Sequence, residues 1–330
     1  MSARAVPWTP SAQEAAAARR RMWRETGIAY LYLAPAILLL GLFHFFPAVY
    51  ALYISTFRWG IVQERFVGLE NYQRLLTDER FWNSLGVTVW YVLLCIPAQI
   101  ALGLGIAYLL FQPISGRLGY RTAYFLPYIT STVAAALVWR WIYNPDRGLL
   151  NGVLSALGLP TSQWLNESSG VFALLAGGAG ITLPPALAGP SVALVCVSMM
   201  SIWHYVGFSI VIFLAGLGNI PKELYEAARI DGASEWQVFR RITLPMLSPT
   251  TFFLATVSTI GALQAFNQIY VMTGGGPLDT TRTVVMLIFQ TFYQQTRVGY
   301  GSAMAFILTG IILTLTLLNF RFVGRRVSYD

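Results

Sequence analysis

Catalysis needs side chains that ionise, ligate or attack, and this chain offers few of them. Its single lysine, Lys222, stands in the run Gly218-Asn219-Ile220-Pro221-Lys222-Glu223. A phosphate-binding loop carries its lysine inside G-x-x-x-x-G-K-[ST], so that pattern fails. The run Gly177, Gly178 and Gly180 has no strand before it and makes no phosphate cradle either. His44 and His204, the two histidines, each stand alone in an apolar stretch. There a histidine more often packs or lines a pore than binds metal. Cys95 and Cys196 also lie in apolar stretches and read as small packing residues rather than as a disulfide. No H-E-x-x-H, C-x-x-C or G-x-S-x-G occurs. The expectation is a chain without catalysis, metal site or bound cofactor. What remains is uncharged hydrogen-bonding chemistry. Ser201, Tyr205 and Ser209 form a stripe at four-residue spacing, and Ser258, Gln264 and Asn267 fall on nearly one face of a later stretch, close to Ile260 and Val271. Such groups bond either a solute in a cavity or one another between helices, and the spacing leaves both open.

The stretches that must hold these residues are apolar throughout. Of the 330 residues, 56% are hydrophobic and 11% charged, whereas a soluble domain carries about a quarter charged residues. A membrane span needs about 20 mostly apolar residues. Six stretches qualify, at about 28–50, 85–111, 120–142, 190–217, 249–271 and 299–320. Residues 1–27 are Arg-rich and Ala-rich and show no small-residue cleavage site, so the first apolar stretch reads as a span and not as a removable signal. With the N-terminus inside, the cytoplasmic pieces take Arg4, Arg19, Arg20, Arg21, Arg24, Arg117, Arg121, Lys222, Arg229, Arg240, Arg241, Arg321, Arg325 and Arg326. That is the larger share of the 22 basic residues. The net charge of +8 therefore reports topology, and nucleic-acid binding is the wrong inference. A secondary transporter would place acidic residues within its spans for ion coupling, and none lies in the six apolar cores. A membrane-embedded enzyme would need buried acid, base or metal groups, which are absent from the sequence pattern.

The longest polar interruption of the second half, Glu223 to Pro249, predicts two short helices and a turn. Pro221 suits a first helical turn, and Leu224, Ala227, Ala228 and Ile230 recur at helical spacing. Gly232 is expected to end that helix at positive φ. Ser234 and Gln237 form an S-x-x-Q capping box that starts the next helix, with Trp236, Phe239 and Ile242 on one face. Pro245 and Pro249 close the unit. The run EAARIDGA followed by W-x-x-F-x-x-I-x-L-P-x-x-x-P resembles the EAA loop of the permease subunits of binding-protein-dependent ABC importers. FVGLENY (Phe66 to Tyr72), NPDRGLLNGVLSALGLP, TSQWL and TGGGPLDTT (Thr273 to Thr281) are similar to the maltose and glycerol-3-phosphate permease group.

The resemblance covers almost the whole chain except residues 1–27 and 168–190. It implies an all-α polytopic membrane protein with six transmembrane helices, of the MetI-like fold of type I ABC importers. The layout is then a cytoplasmic N-terminal segment 1–27, a permease domain 28–322 with a cytoplasmic EAA loop at about 219–246, and a cytoplasmic tail 323–330. In this family the loop docks on a separate ATPase, which implies coupling roles for Leu224, Glu226, Ala227, Ala228, Asp231, Gly232 and Ala233. ATP would be used by partner subunits alone. The implied partners are a sister permease, two ATP-binding subunits, an extracytoplasmic solute-binding protein and the lipid bilayer of a prokaryotic cytoplasmic membrane. The implied solute path runs on spans four and five, where hydroxyl, amide and ring groups suit sugar hydroxyls. A sugar or oligosaccharide is expected, with glycerol-3-phosphate or a related solute as the alternative. Residues 168–190, SSGVFALLAGGAGITLPPALAGP, depart from the family's usual loop. With Gly177, Gly178, Gly180, Pro184, Pro185 and Pro190 they are expected to form a lid or hairpin on the outer face and not a span.

Overall fold

The computed structural model describes residues 12–184 and 187–322. The first eleven residues with Arg4, Pro185 and the tail 323–330 with Arg325 and Arg326 lie outside the described residues. The chain begins with α1 (Ala12–Leu40), a π-helical turn over Gly41–Phe45 that holds His44, and α2 (Phe46–Ser55). This helix starts well before the expected residue 28. From Met22 onward its large apolar side chains are exposed, with Leu31 73% exposed, so it stands clear of the rest until α2 meets the last helix. A two-stranded antiparallel ribbon follows, β1 (Phe57–Trp59) with β2 (Gln63–Phe66), then α3 (Glu70–Leu76).

Helix α4 (Glu79–Phe111) is capped by Asp78, whose carboxylate accepts the Arg80 N–H. Helices α5 (Arg117–Ile129) and α6 (Thr132–Ile142) replace the continuous third span expected over 120–142, because the chain bends by 96° between them. Thr130 and Ser131 are extended at the bend, and the Thr130 hydroxyl bonds the Pro127 carbonyl. Next come α7 (Leu149–Ala156), the short apolar α8 (Val171–Gly178) and the long α9 (Val192–Gly218). Beyond it lie α10 (Lys222–Ile230), α11 (Glu235–Val238), a π-helical turn Phe239–Thr243, α12 (Leu244–Met246) and α13 (Ser248–Leu263). A 60° bend at Leu247 separates the last two, with Pro245 and Pro249 in first helical turns on either side of it.

The fifth span also departs from expectation. Instead of running to residue 271, α13 ends at Leu263, and α14 (Asn267–Met272) begins after a break at Gln264–Phe266. The Thr283 hydroxyl takes up the freed Ala265 carbonyl at 3.0 Å, which is how irregular backbone survives inside a bundle. The chain closes with α15 (Val284–Phe289), a π-helical turn Gln290–Gln294 and α16 (Val298–Phe322). Among the described residues four helices are long and apolar enough to cross a membrane, or up to six if each bent pair makes one span. Helices α4 and α9 form the central pair. Gly103 permits their close approach, since a Cβ there would lie 2.6 Å from the Ser209 Cβ. One apolar cluster joins Tyr91, Tyr143, Met200 and Ile269, and another joins Leu110, Phe213, Leu217 and Leu254 farther along the same pair.

Candidate functional site

Between α4, α5, α9, α13 and the break before α14 lies a cavity of about 290 Å³. That is near the lower bound of small-molecule sites, about 300 Å³. Of the six residues expected on the solute path, Ser201, Tyr205, Ser258, Gln264 and Asn267 all line it. Ser209 does not. It is fully buried at the α4 crossing, where its Oγ accepts the Gln99 Nε2–H at 2.9 Å. The break in the fifth span means that Asn267 opens a new helix and does not continue the face of Ser258, yet both still reach the cavity.

The wall also contains groups that the two stripes did not announce. Tyr91 and Gln99 come from α4, Tyr128 from α5 and Gln268 from α14. Gln268 Nε2 donates to the Tyr91 hydroxyl at 2.7 Å, Tyr91 donates to Ser201 Oγ at 2.8 Å, and Ser201 donates to the Val197 carbonyl at 2.9 Å. Gln99 Nε2 reaches Ser258 Oγ at 3.3 Å as well as Ser209. So Ser201, Ser209 and Ser258 take part in bonds between helices. Tyr205, Gln264 and Asn267 make no side-chain hydrogen bond among the described residues, which leaves one hydroxyl and two amides free at the cavity. Tyr128 stacks on Phe208 at 5.3 Å and meets the Tyr205 ring at 6.3 Å, giving one wall an aromatic surface. Among the described residues none of those lining the cavity carries a charge.

A second cavity of about 510 Å³ lies at the other end of α14, lined by Arg140, Tyr143, Asn144, Tyr270, Thr273 and Gly274 among others. Helix α14 thus separates the two spaces. Arg140 Nη1 donates to the Val271 carbonyl at 3.3 Å beside the second. His204, expected to pack or line a pore, lies 2% exposed with Nε2 3.1 Å from Thr132 Oγ1, and so ties α9 to the α5–α6 bend. Cys95 and Cys196 are free and buried.

The loop after α9 forms a separate feature. Pro221 is the N-cap of α10 rather than part of its first turn. At the other end Gly232 has φ 74°, Ala233 N–H bonds the Ala228 carbonyl and Gly232 N–H bonds the Arg229 carbonyl, a Schellman stop. The Ser234–Gln237 capping box is present in both directions. Val238 at the end of α11 and Thr243 in the π turn are buried, while Trp236, 66% exposed, stacks on Phe239 with ring centroids 5.6 Å apart. Helix α10 touches the body through Tyr225, whose hydroxyl lies 3.3 Å from Thr243 Oγ1. Leu224, Glu226, Ala227, Asp231 and Gly232 are exposed, Ala228 and Ala233 are half-buried, and Ile230 is 86% exposed.

Comparison with known proteins adds four findings. The profile of the family described as "Binding-protein-dependent transport system inner membrane component" matches residues 78–329. The sn-glycerol-3-phosphate transport system permease protein UgpA of Agrobacterium fabrum is 35% identical over 306 residues, covering 92% of this chain and 96% of the relative. The trehalose/maltose transport system permease protein MalF of Thermococcus litoralis is 33% identical over 305 residues, covering 92% and 95%. Among solved structures, a chain of a bacterial alginate ABC transporter in complex with an alginate pentasaccharide-bound periplasmic protein superposes with a TM-score of 0.77 at 21% identity. That match covers 93% of this chain and 98% of that one, and it establishes a shared fold.

Proposed function

The chain belongs to the family of binding-protein-dependent transport system inner membrane components, and from that membership we propose which solute it passes and how it is driven. It is a permease subunit of an ABC importer of the carbohydrate type. The solute is a neutral sugar or oligosaccharide, held in transit by Tyr205, Gln264 and Asn267 against the aromatic wall of Tyr128 and Phe208. The observation that carries this reading is the absence of charge around a cavity with free amide and hydroxyl groups. A buried anion without a cationic partner pays a large desolvation penalty, which disfavours the glycerol-3-phosphate alternative named for one relative. Sugar hydroxyls ask only for neutral donors and acceptors, with a ring face to cover their apolar side.

Helix α10 couples the chain to a separate ATPase. Its exposed Leu224 and Ile230 and its tether to the body through Tyr225 and Thr243 suit docking in a partner's groove. The partners are a sister permease, two ATP-binding subunits and a solute-binding protein outside. The spread of basic residues supports a cytoplasmic side for α10 and both termini. ATP acts on the partner subunits, and this chain binds no cofactor. The test is uptake by the assembled complex in proteoliposomes. Asn267→Ala and Tyr205→Phe should each slow sugar transport about twofold to tenfold, as expected for one lost hydrogen bond of about 0.5–1.5 kcal/mol. Normal transport in both, with solute choice altered instead by a substitution away from this cavity, would overturn the assignment.

A further inference from the structure

The segment 168–190 has no described residue in the lining of the cavity. Its neck is closed by a bridge between Gly170 and Ser191, by Val171 N–H on the Pro190 carbonyl at 2.9 Å and by Phe172 N–H on the Ala188 carbonyl at 3.0 Å. From this neck α8 projects, and Phe172 meets Trp90 of α4 edge-on with ring centroids 5.8 Å apart. Trp90 faces away from the cavity. At 3.6 residues per turn it lies about 160° around α4 from the centre of Tyr91, Cys95, Ile96 and Gln99, the α4 residues in the cavity wall.

The depth of this contact follows from the charges. Between Arg80 and Arg117 the sequence has no charged residue, so the uncharged part of α4, residues 81–111, is about 46 Å long against about 30 Å of hydrocarbon. If the excess all lies at the cytoplasmic end, Trp90 sits about 14 Å below the outer edge. If it all lies at the outer end, the edge falls at about residue 91 and Trp90 is level with it. Trp90 therefore lies at or below the outer edge of the bilayer core, and Phe172 with it. The hairpin suits that depth. No charged residue occurs between Glu167 and Lys222, and Leu174, Leu175, Ile181 and Leu187 are 49–71% exposed on the chain's own surface.

We propose that residues 170–184 and 187–190 form an outer-leaflet anchor, with α8 and its exposed leucines lying in the boundary between headgroups and acyl chains beside α4. The partner of this surface is lipid. The inference rests on the topology proposed above, in which the Glu79 end of α4 is outside.

The test uses the full chain in its assembled complex in lipid vesicles. Leu175→Cys and, separately, Leu187→Cys are labelled with an environment-sensitive fluorophore, and Asp146→Cys in the outer loop serves as a water-exposed reference. A lipid anchor gives blue-shifted emission at 175 and 187, strong quenching by lipids with a spin label high on the acyl chain and weak quenching by aqueous iodide, while the reference label shows the reverse. Iodide quenching at 175 and 187 equal to the reference would overturn the proposal. So would shielding that arises only on adding the solute-binding protein, which would make the hairpin a docking surface, or lipid contact that is lost only when the sister permease is present. Reference labels quenched only by iodide trapped inside the vesicles, in complexes whose ATPase subunits face outward, support the assumed topology. If the reference responds to external iodide there, the topology fails, whatever the hairpin does.

Discussion

Among the described residues the side chains of Tyr205, Gln264 and Asn267 make no hydrogen bond, whereas Ser201, Ser209 and Ser258 belong to bonds that hold helices together. The two groups should respond differently to mutation. Gln264→Ala and Asn267→Ala should lower sugar transport and leave assembly intact. Ser209→Ala should leave solute choice unchanged and lower the thermal midpoint of the purified complex, because Gln99 loses a buried acceptor, at a cost of about 1–3 kcal/mol. A scan of melting temperature beside uptake separates the two classes. Five of the six residues expected on the path from spacing and resemblance line the cavity, Asn267 doing so from a new helix and not from a continuous face. Ser209 fell on the same stripe but on the side that α4 covers, which spacing within one helix cannot reveal. Tyr91 and Gln99 were missed although Tyr91, Cys95 and Gln99 stand four residues apart, the same signal that marked Ser201, Tyr205 and Ser209.

At the scale of elements, the joint at Gly232 sets the angle between α10 and α11. Its φ of 74° is the left-handed conformation, and a Cβ there would meet nothing within 4 Å, so any defect from substitution arises in the backbone and not in packing. Gly232→Val should insert and fold but lose solute-stimulated ATP hydrolysis and uptake. Gly232→Ala, with strain of about 1–2 kcal/mol, should be milder. Glu226→Ala alters the docking helix itself and should be defective too. Wild-type uptake in Gly232→Val, with the loop as resistant to protease as before, contradicts a coupling role. Gly103 is the opposite case. Gly103→Ala should destabilise the α4–α9 crossing by about 1–3 kcal/mol, read as a lower unfolding midpoint. The loop's turn chemistry was legible because caps and glycine stops are local. The breaks in the third and fifth spans were not, since neither Thr130–Ser131 nor Gln264–Phe266 contains proline or glycine, and what stabilises the fifth-span break comes from distant Thr283.

Across the whole molecule, exposed apolar surface is the dominant feature, and composition alone announced it. Lipid covers part of this surface, and a sister permease and ATPases account for the remainder in the proposed complex. The spread of basic residues is the sequence signal on which the proposed topology rests, whereas the contact of Phe172 with Trp90 is one that no local pattern encodes. Purified alone, the chain should show no ATP turnover, since its only lysine lies outside any phosphate-binding pattern. Turnover by the isolated chain that survives Lys222→Ala would overturn that division of labour. The most direct test of an uncharged sugar path driven from outside the chain is uptake by the complete complex in proteoliposomes, with a labelled neutral oligosaccharide and labelled glycerol-3-phosphate offered side by side in the presence of the cognate binding protein. Accumulation of the sugar, dependent on ATP and on the ATPase subunits and reduced by Asn267→Ala, is the predicted result. Preferential accumulation of the phosphate ester, or sugar uptake that persists without the ATPase subunits, would contradict it.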